Sequence, residues 1–184
     1  MLLTSNKSLD YIKKHMKNLT KKGFTLIELL IVIALLGALA VGLLAAVDPF
    51  EQLKKGRDTA TRNTAAEFFN AMIRYYANAG KFPGSLGTAN SSAAGLDTFG
   101  AEITSMAQAG ELKTDFYNLA GGSSNLSRIR VTVPSTESVV VCFNPESKSF
   151  RNDKNTIYTD PEGIGTDPSA CPNATSTSCY VCFR

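Results

Sequence analysis

The longest apolar run in the chain extends from Phe24 to Val47 and follows a short polar segment that ends in two lysines and a glycine. Leu, Ile, Val and Ala surround every face of this run, so it predicts a helix with apolar neighbours on all sides. As a helix it would be about 36 Å long at about 1.5 Å per residue, enough to cross a hydrocarbon core of about 30 Å. The pattern predicts a membrane-spanning helix that contains one acidic residue, Glu28.

Residues 48–79 show a second helical pattern, in which apolar residues recur mostly at three- and four-residue steps. This spacing predicts an amphipathic helix. The predicted apolar stripe consists of Leu53, Ala60, Thr64, Phe68, Met72 and Tyr75, widened by Phe69 and Tyr76. The other faces carry Lys54, Lys55, Arg57, Asp58, Arg62, Glu67 and Arg74. Asp48 and Pro49 predict a kink or a loosened turn and not an end to the helix, which Gly80 and Pro83 then stop.

The rest of the chain predicts a connecting segment over residues 80–126, with one short helix at 98–109, and a strand-rich region over 127–184. Short apolar segments between turn residues predict an antiparallel sheet of three or four strands. The predicted strands are 128–133, 138–144, 147–153 and 179–183, and a long loop covers 155–178. The fold class is therefore α+β, with a long N-terminal helix, membrane-spanning in its first half and amphipathic in its second, packed on a small antiparallel sheet.

The positive charge of the chain is concentrated at its start. The 184 residues carry a formal charge of +3, but residues 1–23 hold six lysines and one aspartate, which leaves −2 for the remainder. Direct binding of nucleic acid through overall charge is therefore not expected. Lysines that precede an apolar span mark its cytoplasmic side, so residues 1–23 are predicted to be a cytoplasmic leader and the C-terminal part to be exported.

The four cysteines, Cys142, Cys171, Cys179 and Cys182, all lie near the C-terminus. An even number in an exported domain predicts two disulfides. If Cys179 and Cys182 share a strand, their Cα atoms are about 10 Å apart, too far for a bond. Two pairings remain, and Cys142–Cys182 with Cys171–Cys179 is favoured over Cys142–Cys179 with Cys171–Cys182. A zinc site made of all four thiolates is the alternative.

Residue patterns that carry enzyme chemistry are missing from the sequence. The single histidine, His15, lies in the leader, and the chain has no Gly-rich phosphate loop and no nucleophile motif. We therefore expect neither an enzyme nor a cofactor. Asp160, Glu162 and Asp167 supply the oxygen ligands that calcium prefers, but Asp-Pro and glycine turn chemistry explains the same residues without an ion and is the preferred interpretation.

Residues 21–37, KKGFTLIELLIVIALLG, resemble the N-terminal signature of type IV pilins and of the pseudopilins of type II secretion. The shared features are the basic leader, the Gly-Phe junction, the threonine, the glutamate five residues after the glycine and the long apolar stretch. The resemblance implies cleavage between Gly23 and Phe24 by a membrane-embedded prepilin peptidase and N-methylation of Phe24. It also implies that Glu28 pairs with the new α-amino group of a neighbouring subunit, although an amino group of the same chain is equally within reach on the sequence alone.

The resemblance implies a pilin-like fold and a structural function. The chain is expected to be an inner-membrane precursor that meets the pilus assembly machinery and polymerises with itself through residues 24–47 into a cell-surface filament for adhesion, motility or DNA uptake. The alternatives are a pseudopilin of a type II secretion or competence system, with a periplasmic filament, and a membrane-tethered binding domain that never assembles. One departure from the family is Ala45, where many members have a proline.

Overall fold

The computed structural model of the chain describes residues 23–46 and 48–184. Apart from Gly23, the predicted leader lies outside the described residues. The structure forms two compact units, which divide between Val47 and Asp48.

The first unit contains helix α1, Leu26–Ala46. None of its side chains is buried, although nearly all of them are apolar. Its 21 residues are long and apolar enough to cross a membrane, which agrees with the apolar helix predicted from the sequence. Because exposure of so much apolar surface to water is unfavourable, α1 requires lipid or other apolar helices around it.

The second unit begins with helix α2, Pro49–Ala79, which has its own N-cap. Asp48 has an extended backbone (φ −85°, ψ 97°), and its carboxylate accepts hydrogen bonds from the N–H groups of Phe50 and Glu51. Pro49 occupies the first helical position, where its missing N–H costs nothing. A new helix therefore starts here, whereas the sequence predicted a kink or a loosened turn within a continuing helix. The predicted stop is confirmed, because α2 ends at Gly80 in the left-handed conformation (φ 70°).

The buried face of α2 differs in part from the predicted stripe. Its buried residues are Asp58, Thr61, Ala65, Phe68, Ala71 and Met72. Phe68 and Met72 were predicted correctly, but Ala60 and Leu53 are exposed, and Asp58, assigned to a polar face, is fully buried. The prediction was wrong there because it followed hydrophobicity alone, and Asp58 is buried through hydrogen bonds to residues far along the chain.

Short helices fill most of the connecting segment. Helix α3, Gly100–Gln108, confirms the helix predicted at 98–109, and its buried Ile103 and Met106 join the core. Helices α4 (Phe116–Leu119) and α5 (Gly122–Leu126) and two 3₁₀ turns (Gly84–Gly87 and Leu96–Thr98) occupy stretches that were predicted as loop.

A four-stranded antiparallel sheet follows the order β1-β2-β3-β4. Its strands are β1 (Asn90–Gly95), β2 (Ile129–Ser135), β3 (Ser138–Phe143) and β4 (Val181–Phe183). The last three confirm the strands predicted at 128–133, 138–144 and 179–183. One face of the sheet packs on α2 and forms the core, where Phe68 and Met72 meet the inward side chains Val131, Val141 and Phe143.

The fourth strand is not the one predicted. Residues 147–153 were predicted as a strand, but they contain helix α6, Lys148–Arg151, because the Ser147 hydroxyl accepts a hydrogen bond from the N–H of Phe150 and caps the helix. The strand that completes the sheet is instead β1, in a segment predicted as loop. It has no β-branched or aromatic residue to indicate a strand.

The long loop between α6 and β4 lies over the face of the sheet that points away from α2. At one end Tyr158 pairs with Tyr180, and further along Glu162 accepts a hydrogen bond from the N–H of Ala93 in β1. Directly after Glu162, Gly163 has a positive φ of 67°, and a Cβ atom there would lie 2.8 Å from Cγ1 of Val140 in β3. Only glycine fits this backbone conformation and this close approach without strain.

Candidate functional site

The peptide bond between Gly23 and Phe24 lies in non-helical backbone before α1. Phe24 is 85% exposed, and among the described residues no atom outside Gly23 and its chain neighbours lies within 4 Å of the position that a Cβ atom of Gly23 would take. Within the described part of the chain, this bond is therefore not enclosed by packing. A helix that begins only at Leu26 leaves the backbone on both sides of the bond available to a protease.

Thr25 and Glu28 form a reciprocal hydrogen-bonded cap at the start of α1. The N–H and the hydroxyl of Thr25 each donate to Oε2 of Glu28 at 2.8 Å, and the N–H of Glu28 donates to the Thr25 hydroxyl oxygen at 3.3 Å. This arrangement is a capping box, and the helix dipole favours a carboxylate at this end. Thr25 belongs to the predicted motif, but no role was predicted for it. The signal that indicates its role is the T-x-x-E spacing before an apolar run.

The capping box places the Glu28 carboxylate beside the backbone that cleavage would change. Oε2 of Glu28 lies 2.8 Å from the nitrogen of Thr25, the residue that follows Phe24. Cleavage after Gly23 would convert the Phe24 nitrogen into a cationic amino group one residue away from this contact. Among residues 23–46 and 48–184, no hydrogen bond is made to the second oxygen, Oε1, which leaves an acceptor for a further donor.

The structure pairs all four cysteines in two disulfides, Cys142–Cys182 and Cys171–Cys179. This is the favoured one of the two pairings that the sequence left open. Cys142 and Cys182 face each other in register on β3 and β4, so their bond joins the last strand to the middle of the sheet. The second bond closes a short loop, with a sequence separation of 8. No thiolate is left to bind zinc in this part of the chain.

The three acidic residues considered for calcium each accept hydrogen bonds from nearby groups. Asp160 accepts two from backbone N–H groups of its own turn, and Glu162 accepts one from Ala93 at 3.2 Å. The hydroxyl and then the N–H of Ser169 hold the pKa of Asp167 below its usual value. In the described parts of the chain, these side chains do not converge into a metal-binding group.

A buried carboxylate at the centre of the second unit was missed by the sequence analysis. Asp58 is fully buried and accepts hydrogen bonds from the N–H and the hydroxyl of Ser147, both at 2.7 Å, and from the N–H of Glu146 at 2.9 Å. Arg128 lies 3.4 Å from Asp58 and 3.2 Å from the Glu146 carboxylate, which also pairs with Arg57. The hydrogen bonds from Glu146 and Ser147 connect α2 to the turn before α6. Sequence spacing gives no signal for these partners, since they lie 70 or more residues away.

Comparison with known proteins identifies the N-terminal region. A family model for the prokaryotic N-terminal methylation motif matches residues 19–44, which include the candidate cleavage bond, the capping box and most of α1. No curated protein and no solved structure matches the chain.

Proposed function

Because the chain carries the N-terminal methylation motif, the signature of type IV pilin and pseudopilin precursors, we propose that it is the structural subunit of a type IV pilus-like filament. In this proposal, prepilin peptidase cuts between Gly23 and Phe24, and the new α-amino group of Phe24 is methylated. The mature chain then leaves the inner membrane and polymerises through residues 24–47. The observation that carries the proposal is the Glu28 carboxylate, held at the start of an apolar helix against the nitrogen of Thr25, one residue after the nitrogen that cleavage releases.

The negative charge of Glu28 requires a cationic partner within the membrane. An unpaired charged residue within a membrane costs about 2.5–3.5 kcal/mol on insertion scales. The Thr25 groups donate hydrogen bonds to Oε2 but add no positive charge. A cationic amino group would add this charge, and Oε1 is the oxygen available to accept its hydrogen bond. We propose that the amino group belongs to Phe24 of the neighbouring subunit.

Pairing between subunits would make the ion pair a rule for assembly. A subunit that enters the filament at the wrong axial position leaves both its own Glu28 and the neighbouring amino group without a partner. In an apolar filament core this error is costly, because little solvent screens or hydrates the charges. The precursor would carry only the Glu28 carboxylate, since the α-amino group of Phe24 does not exist before cleavage.

The test compares the wild-type protein with the Gly23→Val variant, which places a branched side chain at the cleavage bond. The wild-type chain is expected to begin at a methylated Phe24 by mass spectrometry and to occur in filaments sheared from the cells. Gly23→Val is expected to keep its leader, remain in the membrane and yield no filaments. Recovery of the wild-type chain with Met1 and its leader intact would overturn the proposal.

Electron microscopy of the sheared material separates the two filament types. Long surface filaments that react with an antibody to this chain support a pilus. A chain that is cleaved and methylated but forms only short periplasmic filaments would support a pseudopilin instead. A chain that is never cleaved and stays dispersed in the membrane would support a tethered binding domain.

A further inference from the structure

The buried stripe of α2 continues beyond the part of the helix that the sheet covers. Phe50 lies eighteen residues before the buried Phe68, and Leu53 lies eighteen residues before the buried Ala71. Eighteen residues make about five turns of a helix, so each pair points in the same direction. Phe50 and Leu53 are nevertheless 71% and 63% exposed. Two large apolar side chains therefore extend the core-facing stripe past the edge of the second unit.

Two lysines lie next to these two residues in the chain. Lys54 and Lys55 directly follow Leu53. Lys54 forms an ion pair with Glu51 at 2.9 Å. Lys55 forms no ion pair within the described part of the chain. Glu51 also accepts a hydrogen bond from the N–H of Lys148, at the start of α6. That N–H and then the Lys54 ammonium hold the pKa of Glu51 below its usual value. Residues 49–56 carry one glutamate and two lysines, a net charge of +1.

The connection between α1 and this patch is short. Phe50 follows Ala46, the last residue of α1, by four positions. Four residues span at most about 14 Å in any conformation. The headgroup layer on each side of a bilayer is about 5–8 Å thick. If α1 spans the membrane, Phe50 therefore lies in this layer or close to its outer edge.

We propose that the first two turns of α2, residues 49–56, lie on anionic phospholipid headgroups at the exported side of the membrane before the subunit assembles. Phe50 and Leu53 enter the boundary between headgroups and acyl chains, as apolar side chains of interfacial helices do. Lys54 and Lys55 lay their stems along that boundary and reach the phosphates. The contact requires that α1 span a membrane, and it is tested separately from filament formation.

The chain contains no tryptophan, so a single introduced indole reports its own surroundings. Phe50→Trp and Leu53→Trp in the full chain are reconstituted at low protein density into vesicles that contain anionic lipid, part of it brominated in the upper acyl chain. Leu119→Trp and Ile164→Trp are matched controls, because these residues are 69% and 67% exposed and lie elsewhere on the second unit. We expect blue-shifted, strongly quenched emission at positions 50 and 53 and weak quenching in both controls.

Quenching at positions 50 and 53 no stronger than in the controls would overturn the proposal. A blue shift that appears only when the protein density is raised, without quenching by brominated lipid, would assign the patch to a second copy of the chain and would also overturn it.

The cationic part of the proposal has its own test. In the Phe50→Trp background, replacement of both Lys54 and Lys55 by Gln is expected to weaken binding of the patch to anionic lipid by about fivefold per lysine. Lys113→Gln, at an exposed position elsewhere, is the control and is expected to change nothing. Equal quenching with and without the two lysines, or on anionic and uncharged vesicles, would refute their assignment to the phosphates.

Discussion

Glu28 lies in the apolar helix α1 and Asp58 lies on the buried face of α2, yet the surroundings of the two carboxylates differ. Asp58 is fully buried, and both of its oxygens accept hydrogen bonds from residues far along the chain. Glu28 is exposed, and within the described residues its carboxylate accepts hydrogen bonds only from Thr25, three positions away. A carboxylate whose partners lie in the same unit stabilises that unit, whereas a carboxylate with a local cap is available to another molecule.

The largest difference is expected when each acid is tested for assembly. Glu28→Ala removes the charge that the proposed filament uses, so filaments are expected to be lost entirely while the precursor remains in the membrane. The thermal midpoint of the second unit is expected to stay at the wild-type value, because Glu28 lies in the other unit. Sheared filaments are counted by electron microscopy, and unfolding is followed by near-ultraviolet circular dichroism. Glu28→Gln, which keeps the size of the side chain, is the matched control for charge, and wild-type filament numbers in either variant would refute the pairing.

Asp58→Ala is expected to give the opposite pattern, with a large loss of stability. Removing this side chain leaves buried N–H and hydroxyl donors without an acceptor and Arg128 without one of its two anions. Loss of one partner of a buried charged pair costs about 3–5 kcal/mol. Denaturant unfolding of the second unit in the full chain measures this loss. Asp58→Asn, which keeps an acceptor oxygen, is expected to lose less, and an Asp58→Ala variant as stable as Glu28→Ala would contradict the comparison.

Thr25→Ala tests how much the capping box contributes to the role of Glu28. It removes the hydroxyl of the capping box, and loss of an N-cap side chain costs about 1 kcal/mol of helix stability. The frayed start of α1 is expected to hold the Glu28 carboxylate less firmly, so filaments become fewer but do not disappear. Thr25→Ser keeps the hydroxyl and is expected to restore the wild-type number. Complete loss of filaments in Thr25→Ala with normal leader removal would show that Thr25 does more than cap the helix.

Glu102 is an intermediate case, with the smallest expected effect. It is 7% exposed and accepts hydrogen bonds from the N–H and the hydroxyl of Ser85. Burial acts to raise the pKa of Glu102, but the two Ser85 donors lower it, and the net result lies below the usual value of 4.5. The stabilisation is therefore present above pH 4.5 and is lost as the pH falls through the lower pKa of the folded state.

The pH dependence is measured by thermal midpoints of the wild type and of Glu102→Gln over this acidic range. The wild type is expected to lose stability with falling pH more steeply than the variant. Parallel curves for the two proteins would show that Glu102 makes no contribution.

Local sequence signals predicted most of the fold. Neighbouring residues determine the spacing of apolar residues in the helices, the strands with β-branched residues and the end of α2 at a glycine. Strand β1 was missed because its Asn, Ser, Ala and Gly residues have little strand preference, so its position is set by pairing with β2. Residues 147–153 were predicted wrongly as a strand because the Ser147 cap, which starts α6, outweighed the weak alternation of that segment.

The two acidic residues, Glu28 and Asp58, also differ in whether nearby residues in the sequence predict their contacts. The capping box of Thr25 and Glu28 lies within four residues and could have been predicted from the T-x-x-E pattern. The burial of Asp58 could not, because hydrophobicity places an aspartate on a polar face and its acceptor role depends on a turn 88 residues away.

Gly163 has a consequence for the chemistry of the disulfide beneath it. A Cβ atom on this residue would lie 3.1 Å from Sγ of Cys182 and 3.3 Å from Sγ of Cys142, so the loop backbone rests directly on both sulfur atoms. A reducing thiolate must contact one of these sulfurs to break the bond, and on this side it can do so only after the loop has lifted. Reduction of Cys142–Cys182 by a small thiol that approaches from this side therefore depends on how often the loop opens.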